Sequence, residues 1–241
     1  MGQNLPAQSY TPNCLLSAMT PNDYMLIAPH LERVELDNQA VLLEPHALIE
    51  HVHFLESGVG SVIATQDDDP IEVGLFCREG LSGMPVLLGV DRAPARIVVQ
   101  VGPAAALRIA TDNLREACLE SSSLHQLLLR YVQSMIVQSA QTAAVNAHQH
   151  LPQRLARWLL MCHDRVDGDE IALTHGYMAI MLGVRRAGVT VTLHALEATT
   201  AIRASRGLVL IRDRVRLEEI AGDTYGAPEA EYRRLIGPFG R

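Results

Sequence analysis

The most constraining feature of this chain is a long stretch without glycine or proline, from Ser121 to His150. Glycine and proline are the two residues that most disfavour a helix interior, so their absence over this length predicts one continuous α-helix. A helix of about 27 residues is roughly 40 Å long, which exceeds the diameter of a small domain. One side of the helix therefore needs a partner, in its own chain or in a second copy.

The spacing of side chains along this helix indicates which side is covered. Several side chains recur at coiled-coil intervals, and the small residues Ala140, Ala143, Ala144 and Ala147 continue the face. We predict that this face is a dimer interface, with burial inside the same chain as the alternative. The interface residues predicted in this way are Leu124, Leu128, Tyr131, Met135 and Gln138.

The chain before the long helix is typical of short β-strands separated by turns. Segments rich in Val, Ile and Leu recur at roughly ten-residue spacing, with an acidic turn at Asp67–Pro70, and predict six or seven antiparallel strands in a barrel or sandwich. Helices are expected at 21–32 and 111–120, the second capped by Thr111 or Asp112. The strand segments are LERVEL, AVLLE, HVHFLE, GSVIATQ, IEVGLFC and ARIVVQV.

The net charge of −7 is divided unevenly along the chain. Residues 1–149 carry seven arginines against sixteen acidic residues, whereas residues 150–216 carry ten arginines against six acidic residues. The remaining residues, 217–241, are slightly acidic, and the chain contains no lysine. An acidic body with one locally basic segment suits a regulatory domain joined to a domain that contacts phosphates.

Composition also limits the compartment and the cofactors. No apolar run reaches the roughly 18 residues of a membrane span, and the first residues lack the pattern of a secretory signal. We therefore expect a soluble, cytoplasmic protein without contact to a membrane. The cysteines are dispersed, which favours unpaired thiols over a disulfide framework or a zinc or iron–sulfur site, so no metal or cofactor is predicted. They are Cys14, Cys77, Cys118 and Cys162, of which Cys77 is a candidate for haem binding or redox switching.

The elements after the long helix follow the order helix, loop, helix, tight turn, helix and two-stranded hairpin. This order is the plan of a winged helix-turn-helix. Pro152 is placed for the start of the first helix, and Thr174 for the N-cap of the second. Gly183 allows the tight turn, and Val184 is expected to fill the angle between the helices. The apolar side of the second helix is assigned to Met178, Ile180, Met181 and Leu182.

The third helix of this segment separates into two sides. Val189, Leu193 and Leu196 share one side and are expected to face the core. The opposite side is polar, and its arginines lie at the end of the helix that would enter the major groove, where arginine pairs with guanine. Amides at the helix starts and arginines of the hairpin would hold phosphates. The predicted DNA contacts are Thr174, His175, Arg185, Arg186, Thr190, Thr192, His194, Arg203 and Arg206.

Over nearly its whole length the chain resembles the Crp/Fnr-type bacterial transcription regulators. The segments LTHGYMAIMLGVRRAGVTVTLHALE and IRASRGLVLIRD carry the resemblance most specifically. It implies an α+β fold with an N-terminal antiparallel, cyclic-nucleotide-binding-like β-roll at 1–120, a dimerisation helix at 121–149, a winged helix-turn-helix DNA-binding domain at 150–222 and a tail at 223–241. It also implies a homodimer that binds a two-fold-related site on double-stranded DNA, with RNA polymerase as a candidate partner.

The chain departs from the family at the DNA-reading residues. The best-known members read DNA with an Arg-Glu pair and a further Arg. Arg186 matches the first of these, but Ala187 and Val191 stand at the other two positions. The usual target sequence is therefore not expected.

A second departure concerns the effector site. Relatives that bind cyclic AMP hold its ribose with a Glu and its phosphate with an Arg-Ser pair, whereas this chain offers Gly83 and Met84 at the first place and Arg92 or Arg96 at the second. Without the carboxylate the ribose hydroxyls lose a partner, which costs affinity. We therefore expect no tight binding of cyclic AMP, and the effector stays unidentified.

An enzyme is the alternative from another class. His51, His53 and Glu56 in HVHFLESG resemble half of a cupin metal motif, because residues two apart on a strand point to the same face. No second histidine motif follows, and a metal-dependent cupin-like enzyme or a small-molecule-binding protein would not explain the long helix or the hairpin. Hydrolase triads and nucleotide-binding glycine motifs are also missing from the sequence, so we predict that the chain is not an enzyme.

Overall fold

The computed structural model describes residues 8–66 and 69–240, so Asp67 and Asp68 of the acidic turn lie outside the described residues. Its N-terminal part is a roll of seven antiparallel strands in two sheets, ordered β1-β7-β3 and β2-β6-β4-β5. The strands are β1 (Glu32–Leu36), β2 (Val41–Leu43), β3 (His51–Leu55), β4 (Val59–Gln66), β5 (Asp69–Phe76), β6 (Arg96–Val101) and β7 (Ala104–Ala110).

The six strand segments taken from the sequence are all strands, and β7 completes the set. This seventh strand lies between β1 and β3 and pairs with both in antiparallel register, although its sequence, AAALRIA, is mostly alanine. Alanine is depleted in strands, so the segment carries little propensity of its own. Its position in the middle of a sheet comes from pairing and from burial of Ala104, Ala106 and Leu107.

Short helices surround the roll: α1 (Cys14–Ala18), α2 (Pro21–Ile27), α3 (Met84–Leu87) and α4 (Thr111–Glu120). The helices expected around α2 and α4 are present, but the predicted cap of α4 is wrong. Ala110 is the N-cap, and no side chain caps this end. The hydroxyl of Thr111 instead donates to the carbonyl of Ile49, and so ties the start of the helix to the chain before β3.

The long helix α5 spans Ser122–His148, 27 residues, as the sequence predicts. The side chains assigned to a dimer interface are nevertheless buried within their own protomer, against the roll, so no second copy can reach them there. That assignment is wrong, because the roll supplies the partner for this side of the helix. The residues concerned are Leu124, Leu128, Tyr131, Met135 and Gln138.

Two polar side chains fasten α5 to the roll. The side-chain amide of Gln138 accepts from the backbone N–H of Leu75 at 2.8 Å and donates to the carbonyl of the same residue at 3.1 Å. This amide thus satisfies both backbone groups of one residue on β5, which is the edge strand of its sheet. Tyr131 donates to the carbonyl of Leu81 at 3.2 Å. Both contacts are buried, so they determine how the helix lies on the roll.

The C-terminal part consists of helices around a small sheet. The sheet has the order β8-β10-β9, so a third strand joins the predicted hairpin. None of the helices in the described ranges is long and apolar enough to cross a bilayer. The elements are α6 (Leu151–His163), β8 (Glu170–Ile171), α7 (His175–Leu182), α8 (Arg186–Ala198), β9 (Ile202–Ser205), β10 (Leu208–Ile211), α9 (Arg214–Ala221) and α10 (Ala227–Leu235).

The roll and the C-terminal helices share one hydrophobic core. Leu75 and Val98 of the roll pack in the same cluster as Leu155, Trp158 and Met178. Burial of this apolar surface holds the two parts together and limits their relative motion.

Buried polar contacts cross the same boundary. The indole N–H of Trp158 donates to the carboxylate of Glu72 at 2.6 Å, and Ser61 donates to its other oxygen at 2.5 Å. Further along, the guanidinium of Arg165 pairs with Glu79 at 2.7 Å, with both side chains almost fully buried. Each of these contacts joins the roll to α6 or to the segment that follows it.

Burial raises the pKa of Glu72 from 4.5 to about 7, although its hydrogen bonds to Ser61 and Trp158 and the charges of Arg165 and Arg157 act in the opposite direction. Because the pKa of the folded state is the higher one, the protonated carboxyl favours folding. Its contribution is fully present below about pH 4.5 and is lost as the pH rises through 7.

We predict that Glu72→Gln removes this part of the pH dependence, because the amide still accepts from Trp158 but does not ionise. Between about pH 5 and pH 8 the wild type should lose roughly 2 kcal/mol more free energy of unfolding than the variant. Urea unfolding of both proteins across this range measures the difference. The other titratable groups are the same in both proteins, so their contributions to the free energy of unfolding cancel in the comparison. Parallel curves for the two proteins would contradict the assignment.

Candidate nucleic-acid interface

Local sequence explains how α7 and α8 are placed. Thr174 caps α7, and its hydroxyl accepts from the backbone N–H of Tyr177 at 3.2 Å. Gly183 ends the helix in the left-handed conformation, with φ of +59°, as the sequence predicts for a tight turn. Arg185 is then the N-cap of α8.

The inward sides of the two helices agree with the sequence prediction except at one residue. Val189, Leu193 and Leu196 are buried on α8, and so are Met178, Met181 and Leu182 on α7. Ile180 was assigned to the same apolar side, but 42 % of it is exposed. It lies two residues, or about 200°, around the helix from Met178, and therefore faces away from the core. Val184 is partly buried in the angle between the helices.

The outward side of α8 presents Arg185, Arg186 and His194 to solvent, together with Ala187 and Val191. Thr192, predicted to contact DNA, is instead buried, and its hydroxyl donates to the carbonyl of Gly188 at 2.9 Å. It lies beside the inward residue Leu193, and this hydrogen bond satisfies its hydroxyl within the helix. The prediction of Thr192 as a DNA contact is wrong.

His175 and Thr190 meet each other across the two helices. The Nδ1 atom of His175 is 2.9 Å from the hydroxyl of Thr190, which also donates to the carbonyl of Arg186 at 3.2 Å. The pair fixes the start of α7 against the first turns of α8, which orients the exposed arginines.

The hairpin carries two further predicted residues. Gly207 turns it, with φ of +77°, and Arg203 and Arg206 are both exposed. The carboxylate of Glu197 on α8 accepts from the backbone N–H of Ala204 at 2.7 Å, which holds the hairpin against α8. Sequence reasoning missed Glu197, because a carboxylate on a helix gives no local sign that it will bind a strand seven residues later.

The arginines of this surface differ from most others in the chain. Arg33, Arg78, Arg165 and Arg214 each pair with a carboxylate at 3.2 Å or less. Among the described residues, by contrast, no carboxylate pairs with the arginines that α8 and the hairpin expose. Their positive charge is not neutralised locally and is available to an anionic partner. These residues are Arg185, Arg186, Arg203 and Arg206.

The N-terminal end of α8 adds a second attraction for anions. Its first turn contains no acidic residue, and no side chain caps its free backbone amides. Such amides, with the positive end of the helix dipole, are well suited to hold a phosphate.

The residues predicted for an effector site lie in and after the segment that leads into α3. Gly83 is the left-handed residue before α3, and Met84 is the first residue of that helix. Arg92 is exposed and donates to the carbonyl of His46 at 2.8 Å, and Arg96 pairs with Glu44 at 3.2 Å. Both guanidinium groups therefore already have partners at the surface.

The histidines of the cupin-like segment also have local surroundings. The rings of His51 and His53 are 6.5 Å apart on β3. His53 is buried with Nδ1 3.2 Å from the hydroxyl of Ser82, and burial lowers its pKa to about 4. Glu56 pairs with Arg33 at 3.2 Å. Within the described ranges no three His, Cys, Asp or Glu side chains are grouped as metal ligands.

All four cysteines are free thiols, of which Cys77 and Cys162 are buried. Burial raises the pKa of Cys77 to about 12, and its thiol donates to the carbonyl of Arg165 at 3.4 Å. A thiol that stays protonated and enclosed is poorly reactive.

The C-terminal helices and hairpin form a winged helix-turn-helix that follows the β-roll and the long helix. Residues 153–220 match the family model described as the Crp-like helix-turn-helix domain. No curated protein matches the sequence significantly.

Solved structures match most of the chain. A Crp/Fnr-family transcriptional regulator from Eubacterium rectale is 16 % identical, with a TM-score of 0.67 over 87 % of this chain and 98 % of that one. FixK2 from Bradyrhizobium japonicum is 13 % identical, with a TM-score of 0.66 over 80 % and 98 %. The c-di-GMP-responsive regulator CLP from Xanthomonas campestris is 15 % identical, with a TM-score of 0.64 over 80 % and 99 %.

The helix-turn-helix match and these folds together confirm the resemblance to Crp/Fnr-type transcription regulators that the sequence indicates. The predicted fold class, an α+β chain with a β-roll, a long helix and a winged helix-turn-helix, is confirmed as well.

We predict that Gly183→Ala destabilises the protein more than Gly207→Ala. Both glycines have positive φ, so each substitution costs about 1 kcal/mol or more in backbone strain. Only at Gly183 would the new Cβ also come within 3.0 Å of a neighbour, the Cδ1 atom of Ile71 on β5. At Gly207 the Cβ would meet open space.

The second substitution Ile71→Val removes that Cδ1 atom and should restore part of the stability lost in Gly183→Ala, which thermal unfolding of the single and double variants measures. Equal losses for the two glycine variants, or strict additivity with Ile71→Val, would show that the turn of the helix-turn-helix does not press on β5.

Proposed function

We propose that this chain is a sequence-specific DNA-binding transcription regulator that acts as a homodimer and does not respond to cyclic AMP. The observation that carries the proposal is the pair of exposed, unpaired arginines, Arg185 and Arg186, at the N-terminal end of α8 within the Crp-like domain. The proposal includes no catalytic step, and it assigns the protein to the bacterial cytoplasm, with RNA polymerase as a further partner. Domain boundaries at 120, 149 and 222 are part of the same proposal.

In this proposal the N-terminal end of α8 enters the major groove. Arg185 and Arg186 donate to guanine, and the exposed side chain of Val191 contacts a thymine methyl. Ala187 offers no acceptor to cytosine, so the target differs from sites read through a carboxylate at this position. Arg203 and Arg206 of the hairpin bind phosphates beside the groove, as do the free amides at the start of α8.

The homodimer is supported by the side of α5 that faces away from the roll. Exposed or half-exposed side chains recur there at intervals of four and three residues, which is the spacing of a coiled-coil seam. Ile136 is 57 % exposed in the middle of this row, and the alanines allow two helices to approach closely. We call this row the exposed stripe, and it consists of Leu129, Gln133, Ile136, Ala140, Ala143 and Ala147.

A second copy is the partner that fits the exposed stripe. A parallel pair of α5 helices would place the two α8 helices on one side of the dimer, related by a two-fold axis. Recognition helices in such dimers enter major grooves about 34 Å apart, one turn of DNA. A symmetric protein then selects a site with matching symmetry.

The lack of a response to cyclic AMP follows from the predicted pocket residues. Neither Gly83 nor Met84 can accept a hydrogen bond from ribose hydroxyls through a side-chain carboxylate. Arg92 and Arg96 already bind the carbonyl of His46 and the carboxylate of Glu44. A cyclic nucleotide would have to break these contacts without a replacement for the missing acceptor.

We predict that Arg186→Ala lowers discrimination between DNA sequences. Loss of a guanine contact should weaken binding to the preferred site by about 1–3 kcal/mol, roughly 5- to 150-fold, and binding to random DNA by much less. Arg216→Ala is the matched control, since Arg216 lies in the same domain but pairs with Glu219 at 2.8 Å. Equal loss on specific and random DNA would mean that Arg186 contacts only phosphate.

We predict that Ile136→Arg shifts the protein from dimer to monomer, because two charges would have to be buried in the seam. Sedimentation equilibrium measures the change, and circular dichroism should show that the protomer stays folded. Val215→Arg, at a similarly exposed apolar residue on α9, should leave the dimer intact. A wild type that is monomeric at micromolar concentration, or an Ile136→Arg variant that dimerises equally well, would contradict the assigned seam.

A further inference from the structure

A cavity of about 240 Å³ lies where α3, α4 and the beginning of α5 meet. Part of its lining, Val86 to Gly89, lies between Met84 and Arg92 in the sequence, but none of the four residues predicted for a cyclic-nucleotide site lines it. Its walls come from the short helices α3 and α4 and from His125 of the long helix, so an occupant would touch all three helices. The lining residues are Val86, Leu87, Gly89, Leu114, Arg115, Cys118, Leu119 and His125.

The lining is mainly apolar. Leu114 is fully buried, and Cys118 acts as a small apolar group because burial raises the pKa of its thiol to about 11. Large apolar side chains are also exposed at and beside this lining, with Leu119 88 % exposed and Leu88 58 % exposed. A cluster of exposed apolar residues around a concave site is typical of a surface that binds a ligand.

One cation is available within this apolar lining. The guanidinium of Arg115 meets the carboxylate of Asp112 only at 3.8 Å, and the Asp112 side chain is 90 % exposed. Such a solvent-exposed pair contributes little and is easily replaced. The imidazole of His125 also lines the cavity, and its Nε2 atom lies 3.0 Å from the carbonyl of Leu87. The site therefore offers an apolar cavity and one guanidinium that is only loosely engaged.

We propose that this cavity binds a small apolar monocarboxylate, whose carboxylate pairs with Arg115 while its hydrocarbon part fills the space beside Leu114 and Cys118. Arginine suits this role because its planar group donates two parallel hydrogen bonds to a carboxylate. The cavity is smaller than the range of about 300–1,000 Å³ that holds drug-sized ligands, so the ligand has about ten non-hydrogen atoms.

The consequence for regulation rests on the proposed function, whereas binding itself does not. The ligand would join α4 to the first turns of α5, and α5 leads directly into α6 and the DNA-binding helices. Binding stabilises whichever arrangement of these helices forms the cavity. The affinity for DNA is therefore expected to change when the cavity is occupied.

The binding test uses calorimetric titration of the full chain with sodium octanoate. Octanamide has the same hydrocarbon chain without the charge, and acetate has the charge without the chain. We expect octanoate to saturate at one molecule per chain, octanamide to bind at least about tenfold more weakly, and acetate not to bind up to about 10 mM. Failure of octanoate to saturate, or equal binding of octanoate and octanamide, would overturn the proposal.

Three variants locate the site. Arg115→Gln should weaken octanoate about tenfold or more and leave octanamide unchanged, since it removes only the charge. Cys118→Phe should abolish binding of both by filling the cavity. Arg130→Gln, at an exposed arginine of α5, should change neither. An unchanged affinity of Arg115→Gln for octanoate would overturn the proposal even if Cys118→Phe failed to fold.

Two further measurements separate the possible failures. If octanoate binding disappeared as the protein dimerised, a second copy would cover the cavity, and the proposal would be overturned. DNA binding is measured on the same samples with and without octanoate. A protein that binds octanoate but no DNA would refute the proposed function and leave the ligand site standing, whereas DNA binding without octanoate binding would do the reverse.

Discussion

The buried pair of Arg165 and Glu79 is the contact on which the arrangement of the rest depends. Two charges that are removed from water are tolerated only when they satisfy each other, so neither can lose the other without a large cost. Arg165 also donates to the carbonyl of Met161 at 2.7 Å, and its guanidinium lies 4.8 Å from the ring of Phe239. Tyr232 donates to the carbonyl of Glu79 at 2.8 Å. The roll, the end of α6 and the C-terminal segment therefore meet at one buried cluster of polar contacts.

This buried polar cluster helps to determine where the helices of the helix-turn-helix lie. Glu72 accepts a hydrogen bond from Trp158, so the roll is attached both to α6 and, through Arg165, to the segment that follows it. The helix-turn-helix packs against α6 in the shared core, and a Cβ added at its turn residue Gly183 would lie 3.0 Å from Ile71 of β5. The exposed arginines are thus held in place by elements that pack on one another from the roll to α8. A conformational change in the roll can therefore alter the position of these arginines.

The sequence predicted those features whose causes are local. Thr174 as a cap, Gly183 as a turn and the inward set Val189, Leu193 and Leu196 all follow from neighbours within a few residues. Features that depend on distant partners were missed or misplaced. Thr192 looked polar and outward but is buried by the packing around its helix, and β7 is a strand only because β1 and β3 lie on either side of it.

The long helix shows this difference most clearly. Both of its sides carry residues at coiled-coil spacing, so the pattern alone could not tell which side the roll covers. The side with the larger residues, such as Tyr131 and Met135, is the one that the roll buries. Counting back from Ala140 at intervals of four and three would have reached Ile136, Gln133 and Leu129, and that row was the available signal for the other side.

Selection of genomic DNA fragments by the purified full-length protein tests the central claim most directly. We expect enrichment of one motif made of two inverted half-sites, with centres about one helical turn, 10–10.5 base pairs, apart or a multiple of it. Binding to the enriched fragments should also weaken steeply with salt, as expected for arginine–phosphate contacts. Enrichment of no common motif, or of a motif without two-fold symmetry, would contradict the claim that this protein reads DNA as a symmetric dimer.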